Sequence, residues 1–98
     1  MIEFRRNQEF IRFLAELRDD AAKAKIAVRL VRLANGNVGD VKPVGEGISE
    51  MRIDFGPGYR VYFKRHGALL ILLLCGGDKH TQDRDIKRAK KLALEMEI

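Results

Sequence analysis

The sequence predicts a small α+β domain with the element order β-α-α-β-β-β-α and an antiparallel sheet. Three observations predict it. Apolar residues recur at helical spacing between residues 7 and 34 and again from residue 81 onward. Residues 50–64 alternate apolar with charged side chains, and residues 68–75 form a continuous apolar run. Because 98 residues with 46% hydrophobic content suffice for one core, we expect a single domain over residues 1–98.

Two helices are expected in the first half of the chain, after a short candidate strand at Ile2 to Arg5. The first helix begins at Asn7, and one of its faces carries Phe10, Phe13, Leu14 and Leu17. The second helix begins at Asp19 or Asp20 and ends at Ala34. Its core side carries Ala22, Ile26, Leu30 and Leu33. Because almost no loop separates the two helices, they are expected to form an antiparallel hairpin.

A loop and a β-hairpin are expected next. Residues 35–47 hold four of the nine glycines and one of the two prolines, which predicts a loop. The alternation over residues 50–64 predicts a hairpin with one apolar face and one charged face. A turn centred on Pro57 places three pairs opposite each other: Asp54 with Arg60, Arg52 with Tyr62, and Glu50 with Lys64.

The last third of the sequence predicts a central strand and a helix. The apolar run Ala68 to Cys75 is typical of a strand covered on both faces. A tight turn at His66-Gly67 joins this strand to the hairpin and puts Arg60 opposite Leu73. The helix is expected to start near Thr81. Its apolar side carries Ile86, Ala89, Ala93 and Met96, and its outer side carries a basic stripe, Arg84, Lys87, Arg88 and Lys91.

The charge balance favours an anionic partner, with nucleic acid as the leading candidate. The net charge is +5, and residues 50–94 hold ten Lys or Arg against five Asp or Glu. The single cysteine, Cys75, excludes an internal disulfide, and one Cys with two His cannot complete a zinc site. We therefore expect no metal and no cofactor. No apolar run approaches the roughly 20 residues of a membrane span, so we expect a cytoplasmic protein without a membrane partner.

Strand pairing is expected to gather several polar side chains at one end of the sheet: Arg52, Arg60, Tyr62, Lys79 and His80. This set suits metal-free RNA cleavage, in which a 2′-hydroxyl attacks its own 3′-phosphate. Arg60 would bind the phosphate bidentately, with Arg52 as a second cation, and Lys79 or His80 would transfer protons. Tyr62 would stack on a base or bind the phosphate.

The predicted RNA-binding set extends beyond this cluster. It comprises Tyr62, Lys64 and the basic stripe of the last helix, Arg84, Lys87, Arg88 and Lys91. The same residues also allow a structural interpretation. In that interpretation Asp54 is the ion-pair partner of Arg60 on a solvated sheet face, and the stripe is an ordinary solvent-facing helix side.

Several stretches of the chain resemble a known family. They are Ser49 to Ile53, Gly56 to Phe63, and Leu74 to Lys79, followed by Gln82, Asp85, Ile86 and Ala89. Together they resemble the signature of phage-derived addiction module killer proteins, which are HigB-like toxins of the RelE superfamily. The resemblance extends nearly end to end and includes the loop from Gly39 to Gly47.

The resemblance implies a RelE-like fold and the toxin of a type II toxin–antitoxin module. Such a toxin is an mRNA interferase, an endoribonuclease that cleaves transcripts in the A site of the small ribosomal subunit and so inhibits translation and growth. The implied protein partner is a HigA-like helix-turn-helix antitoxin. Arg60 stands at the phosphate-binding arginine of the Gly-Tyr-Arg motif, Arg52 at a strand lysine, and Lys79 near the arginine that acts as acid.

The chain departs from the family pattern at two places. Asp54 stands where RelE toxins carry a second strand lysine, and residues 81–86 contain no tyrosine to stack on a base. Among the histidines, His80 is the candidate for a proton-transfer role. Two alternatives stay open: a ParE-like toxin that inhibits DNA gyrase without cleaving RNA, and a degenerate, non-toxic protein that binds an antitoxin.

Overall fold

The computed structural model describes residues 2–96, which form five strands and three α-helices. The strands are β1 (Glu3–Arg6), β2 (Val41–Gly45), β3 (Ile48–Ile53), β4 (Tyr59–His66) and β5 (Leu70–Asp78). The helices are α1 (Gln8–Glu16), α2 (Asp20–Ala34) and α3 (Gln82–Glu95), and a 3₁₀ turn at Lys79–Thr81 leads into α3. The protein is therefore a small α+β domain, as predicted.

The helices follow local sequence signals. Asn7 caps α1 by accepting a hydrogen bond from the Glu9 amide at 2.8 Å, and Asp19 caps α2 by accepting one from the Ala21 amide at 2.9 Å. The buried residues of α2 are Ala22, Ile26, Leu30 and Leu33. The predicted bounds and core side of α2 are confirmed. In α3 the buried residues are Asp85, Ala89, Leu92 and Ala93, and the predicted Ile86 and Met96 pack at the margin of that face.

All five strands belong to one mixed sheet with the order β1-β5-β4-β3-β2. β1 runs parallel to β5, whereas the other neighbours are antiparallel, so the prediction of an antiparallel sheet is wrong for β1. The loop predicted at 35–47 is also partly wrong, because β2 lies within it and pairs with β3. Pro43 is accommodated in β2 because an edge strand bonds on one side. The order is therefore β-α-α-β-β-β-β-α.

Helices cover both faces of the sheet. On one face Phe10 of α1 and Ile26 of α2 share an apolar cluster with Met51, Val61 and Leu73. On the other face α3 covers a second cluster that contains Tyr62, Leu72, Ala89 and Leu92. The interior of β5 is thus buried from both sides, as expected for a central strand.

Part of the predicted charged face of the hairpin lies under α3. Glu50 and Tyr62 belong to this face and have no exposed surface, whereas Arg52 of the same face is partly exposed. The structural interpretation of a solvated sheet face is therefore wrong for Glu50 and Tyr62. Strand alternation identifies which residues share a face of the sheet. Whether that face is exposed to solvent depends here on α3, which is distant in sequence.

The strand registers also differ from the predicted ones. β3 and β4 are shifted so that Arg52 pairs with Arg60 and Glu50 with Tyr62. The connection runs from Asp54 to Gly58, and two of its glycines adopt positive φ angles, 57° at Gly56 and 84° at Gly58. The loop is therefore longer than the tight turn centred on Pro57 that the prediction assumed.

β4 and β5 are offset as well. A bulge between Tyr62 and Phe63 interrupts their ladder, and Arg60 pairs with Gly77 instead of the predicted Leu73. Arg60 consequently lies near the end of β5. The turn that carries Lys79 begins two residues after Gly77.

Candidate functional site

Three cationic side chains line one cleft beside the β3–β4 connection. The cleft, here called the arginine cleft, encloses about 300 Å³. It is lined by Asp40, Arg52, Asp54, Gly56, Pro57, Gly58, Arg60 and Lys79. Arg52 and Arg60 are direct neighbours across the β3–β4 ladder. Like charges in that relation destabilise a sheet, so the pair is not explained by strand stability.

Arg60 is the most firmly held of the three cations. Its side chain is 13% exposed, and its Nε lies 3.7 Å from the buried carboxylate oxygen Oε1 of Glu50. Its Nη1 donates to the backbone carbonyls of Gly58 at 3.2 Å and Tyr59 at 3.3 Å. The guanidinium is therefore fixed against the hairpin loop. The predicted ion pair between Arg60 and Asp54 is wrong, because Glu50 takes that place, although Asp54 lines the same cleft.

Glu50 is also bonded to two neutral side chains. Its Oε2 accepts hydrogen bonds from the Tyr62 hydroxyl at 3.1 Å and from Nε2 of Gln82 at 2.8 Å. Burial and the adjacent Glu50 carboxylate raise the pKa of Tyr62 far above its usual value, so the phenol stays protonated. Because its ring is fully buried, Tyr62 has no free face for a base. The prediction that Tyr62 stacks on a base is therefore wrong. Its hydroxyl, the other predicted contact with RNA, donates to Glu50 instead.

Arg52 lies at the more exposed side of the cleft. Its Nε is 3.5 Å from Oδ1 of Asp40, in a pair whose side chains are 39% and 58% exposed. Arg29 of α2 fixes the backbone beneath this pair, since its Nη1 donates to the Arg52 carbonyl at 2.6 Å and its Nη2 to the Asp40 carbonyl at 3.2 Å. An exposed pair of this kind is worth about 1 kcal/mol or less, so an anion can compete with Asp40 for Arg52.

Lys79 reaches the cleft from the 3₁₀ turn after β5. A β-carbon on Gly58 would lie 3.5 Å from Cβ of Lys79 and 3.4 Å from Nη1 of Arg60, which shows how close these elements approach. Asp78 caps the turn by accepting a hydrogen bond from the His80 amide at 2.8 Å. The prediction that Arg52, Arg60 and Lys79 lie together at one end of the sheet is thus confirmed.

His80 lies outside the arginine cleft. Its side chain is exposed and lines a neighbouring groove of about 430 Å³ with Lys79, Thr81, Gln82, Asp83 and Arg84. Lys79 lines both depressions, so the groove that contains His80 adjoins the arginine cleft at this lysine. Of the two predicted proton-transfer candidates, Lys79 is the one within the arginine cleft.

Gly76 and Gly77 serve close packing. A β-carbon on Gly76 would overlap the ring of Phe13, and one on Gly77 would overlap the Asp85 carboxylate. Asp85 is mostly buried and accepts a hydrogen bond from the Thr81 hydroxyl at 2.5 Å. The two glycines therefore let β5 pass between α1 and the start of α3, and they give no sign of a phosphate loop.

The basic stripe of α3 is partly neutralised. Arg88 forms a two-bond ion pair with Glu9 of α1, which lowers the pKa of Glu9 and raises that of Arg88. Nε of Arg84 lies 3.7 Å from Oδ1 of Asp85. Lys87 and Lys91 are exposed, and Lys64 of β4 is half-buried with its alkyl chain near Gly47. None of these residues lines the arginine cleft.

Sequence reasoning missed the roles of Glu50, Gln82 and Asp40. Glu50 sits in an alternating pattern that is typical of an exposed position, and its burial depends on α3. Gln82 belonged to the motif of the resemblance, but no pattern indicated its contact with Glu50. Asp40 lay in the segment that was predicted to be a loop. These contacts link residues that are far apart in sequence, so they depend on the tertiary fold and not on any local pattern.

Residues 2–96 contain no group of three or more His, Cys, Asp or Glu side chains placed to hold a metal ion. Within the same range, no helix is long and apolar enough to cross a membrane. Cys75 is a buried free thiol, and burial raises its pKa to about 12.

A protein of Haemophilus influenzae is 53% identical to this chain over 95 residues, which cover 97% of this chain and 96% of that protein. The chain belongs to the same family. The Haemophilus protein is named an uncharacterized protein, so this similarity assigns no activity to the chain. No family model matches the chain, and no solved structure matches it.

Proposed function

We propose that this protein is the toxin of a type II toxin–antitoxin module and acts as a ribosome-dependent mRNA endoribonuclease. The observation that carries the proposal is the direct cross-strand pairing of Arg52 with Arg60, with Lys79 lining the same cleft. Two like charges directly opposite each other destabilise a sheet. A phosphodiester between them would turn this repulsion into attraction.

Each cation has a role that its environment supports. Arg60 is held by Glu50 and by two loop carbonyls, so it is a preorganised donor for the charge that develops on the phosphate. Arg52 is balanced by a weak, exposed pair with Asp40 and adds a second positive charge. Lys79 supplies a third cation and is a candidate proton donor for the departing 5′-oxygen. His80, in the adjoining groove, is the other proton-transfer candidate.

The exposed cations of α3 would serve RNA binding rather than chemistry. Lys87 and Lys91 are exposed, and Arg84 makes a surface ion pair that contributes little to stability. Together with Lys64 and Arg88 they extend a positive surface toward a ribosomal RNA or an mRNA. Such contacts add affinity that falls with salt and carries little sequence information.

The proposal includes a RelE-like topology, a cytoplasmic location and a HigA-like helix-turn-helix antitoxin. It rests here on the resemblance of the hairpin and β5–α3 segments to HigB-like toxins. Three cations at one cleft also favour an acidic antitoxin segment, because it would neutralise the same charges that the phosphate would bind.

The test is induction of the protein in a bacterial host, with growth measured and cuts in translated mRNA mapped by primer extension. Wild type should arrest growth and produce cuts. Arg60→Ala should lower the cleavage rate roughly 10²- to 10³-fold, the usual effect of removing one fixed donor to a transition-state charge. Arg65→Ala is the matched control, because it removes an exposed arginine from the same strand, outside the cleft.

Two outcomes would overturn the proposal. One is an Arg60→Ala variant that arrests growth and cuts mRNA as wild type does. The other is growth arrest by wild type without mRNA cuts, accompanied by loss of supercoiling by purified DNA gyrase. That second result would assign a ParE-like activity instead.

A further inference from the structure

Glu50 contacts both Arg60 and the first residue of α3, and it has no exposed surface. Its carboxylate faces Arg60 on one oxygen and accepts hydrogen bonds from Tyr62 and Gln82 on the other. Burying a carboxylate is unfavourable unless its partners compensate for the lost water. The position of Glu50 therefore needs an explanation beyond hairpin formation.

The geometry is poor for a purely stabilising pair. Nε of Arg60 and Oε1 of Glu50 are 3.7 Å apart, and each of these two buried atoms lacks a hydrogen-bond partner. A pair that only held the fold together would close this gap, since an unmet buried donor or acceptor destabilises the fold. The carboxylate instead balances the charge of Arg60 at 3.7 Å, and no hydrogen bond among the described residues uses Nη2 of Arg60.

Gln82 extends this arrangement to the start of α3. It follows the 3₁₀ turn that carries Lys79, and its Nε2 donates to Glu50 at 2.8 Å. A single buried carboxylate thus connects the strand that carries Arg60 with the turn that carries Lys79. The β4–β5 ladder already brings Arg60 and Lys79 close together, since Tyr59 pairs with Asp78. Glu50 adds a side-chain link between the same two elements.

We propose that Glu50 is a positioning residue that aims Arg60 into the arginine cleft, with Gln82 and Tyr62 fixing the Glu50 carboxylate. This inference rests on the proposed function, because it assigns to Arg60 the binding of a phosphodiester. Glu50 itself does not line the cleft. Its effect on RNA must therefore pass through Arg60.

The central variant is Glu50→Gln, which keeps the shape of the side chain and removes its charge. The probe is an RNA trinucleotide with 2′-deoxy first and central residues. Neither phosphodiester then has an adjacent 2′-hydroxyl to attack it, so the probe cannot be cleaved, and its Kd is measured by titration. Glu50→Gln should weaken binding roughly tenfold or more, the effect of losing one charge-assisted contact. Glu46→Gln is the matched control, because it removes an exposed carboxylate whose partner is Lys90, and its Kd should equal that of wild type.

A double-mutant cycle separates positioning from general damage. If Glu50 acts through Arg60, Glu50→Gln should have no further effect on Kd in an Arg60→Ala background. An equal loss of affinity in both backgrounds would overturn the inference. Gln82→Met provides a second route if Glu50→Gln does not fold, since it removes the 2.8 Å hydrogen bond to Glu50 and leaves the charge. It should weaken probe binding about threefold or more, and a wild-type Kd would contradict the inference.

A ligand-free measurement distinguishes failure of this inference from failure of the proposed function. The Nε–Hε NMR signal of Arg60, identified by its absence in Arg60→Ala, should shift or broaden in Glu50→Gln and in Gln82→Met. If induced wild type produces no mRNA cuts, the proposed function fails, while this NMR signal still reports the coupling between Glu50 and Arg60. If the signal is unchanged in both variants, Glu50 does not position Arg60.

Discussion

Gly77→Ala is expected to be one of the most destabilising single-methyl additions in the described part of the chain. Gly77 lies in β5, opposite Arg60, with no positive φ angle that would by itself disfavour alanine. The difficulty is steric. An added β-carbon would overlap the Asp85 carboxylate and lie 2.9 Å from Oγ1 of Thr81.

The magnitude follows from what must move. The carboxylate of Asp85 has to leave its place, which breaks the 2.5 Å hydrogen bond from Thr81 to a mostly buried charge. Losing a hydrogen bond to a charged group costs about 1.5–3 kcal/mol, and inserting a methyl group into a packed site costs about 1–3 kcal/mol. We expect a loss of about 3–5 kcal/mol in the free energy of unfolding, a large share of the total for a small domain.

Urea unfolding followed by circular dichroism measures this loss. With a urea dependence of about 2 kcal/mol per molar, the midpoint should fall by about 2 M. Gly36→Ala is the control for backbone strain alone, because Gly36 has a φ of 87° and no atom within 4 Å of an added β-carbon. It should cost about 1–2 kcal/mol. If Gly77→Ala costs no more than Gly36→Ala, the steric reasoning is refuted, as it is if Asp85→Ala fails to reduce the effect of Gly77→Ala.

Two further predictions concern titratable groups. Cys75 has a pKa of about 12, so only about one thiol in ten thousand should be a thiolate at mildly alkaline pH. A thiol-reactive reagent should therefore label Cys75 far more slowly in the folded protein than in denaturant. Equal labelling rates would contradict its burial. Glu9 has a pKa that Arg88 lowers from 4.5, so its contribution to stability is present above about pH 4.5 and is lost as the pH falls through the lowered value. The Tm of Glu9→Gln should accordingly lie below that of wild type near neutral pH and converge with it on acidification, and a gap that persists in acid would exclude this ion pair as the cause.

The helices could be predicted from the sequence because their determinants are local. Asn7 and Asp19 each cap the helix that follows within two residues, and the apolar spacing of α2 identifies its four buried residues. The central position of β5 was predictable for a similar reason, since eight consecutive apolar residues need cover on both faces. In each case the signal lies within the element that it describes.

The sheet registers depend on features that no local pattern contains. β2 occupies a segment that is rich in glycine and includes Pro43, a composition typical of loops, and it exists because β3 offers an edge to pair with. The bulge between Tyr62 and Phe63 changes the pairing of β4 with β5 without any glycine or proline at that point. Loop length and bulges set the strand register, and both depend on the tertiary structure rather than on local sequence.

One of the two wrong registers, that of β3 with β4, bears on the proposed function. Pairing opposite charges across the hairpin favours Asp54 with Arg60, and this rule fails because the structure pairs Arg52 with Arg60. Local rules are expected to fail where a sequence is under selection for something other than stability. The buried Glu50 carboxylate, whose burial no local pattern predicts, balances the positive charge of Arg60. The proposed function would explain both the like-charged pair and the buried Glu50, because an anion bound in the arginine cleft would use two arginines held close together.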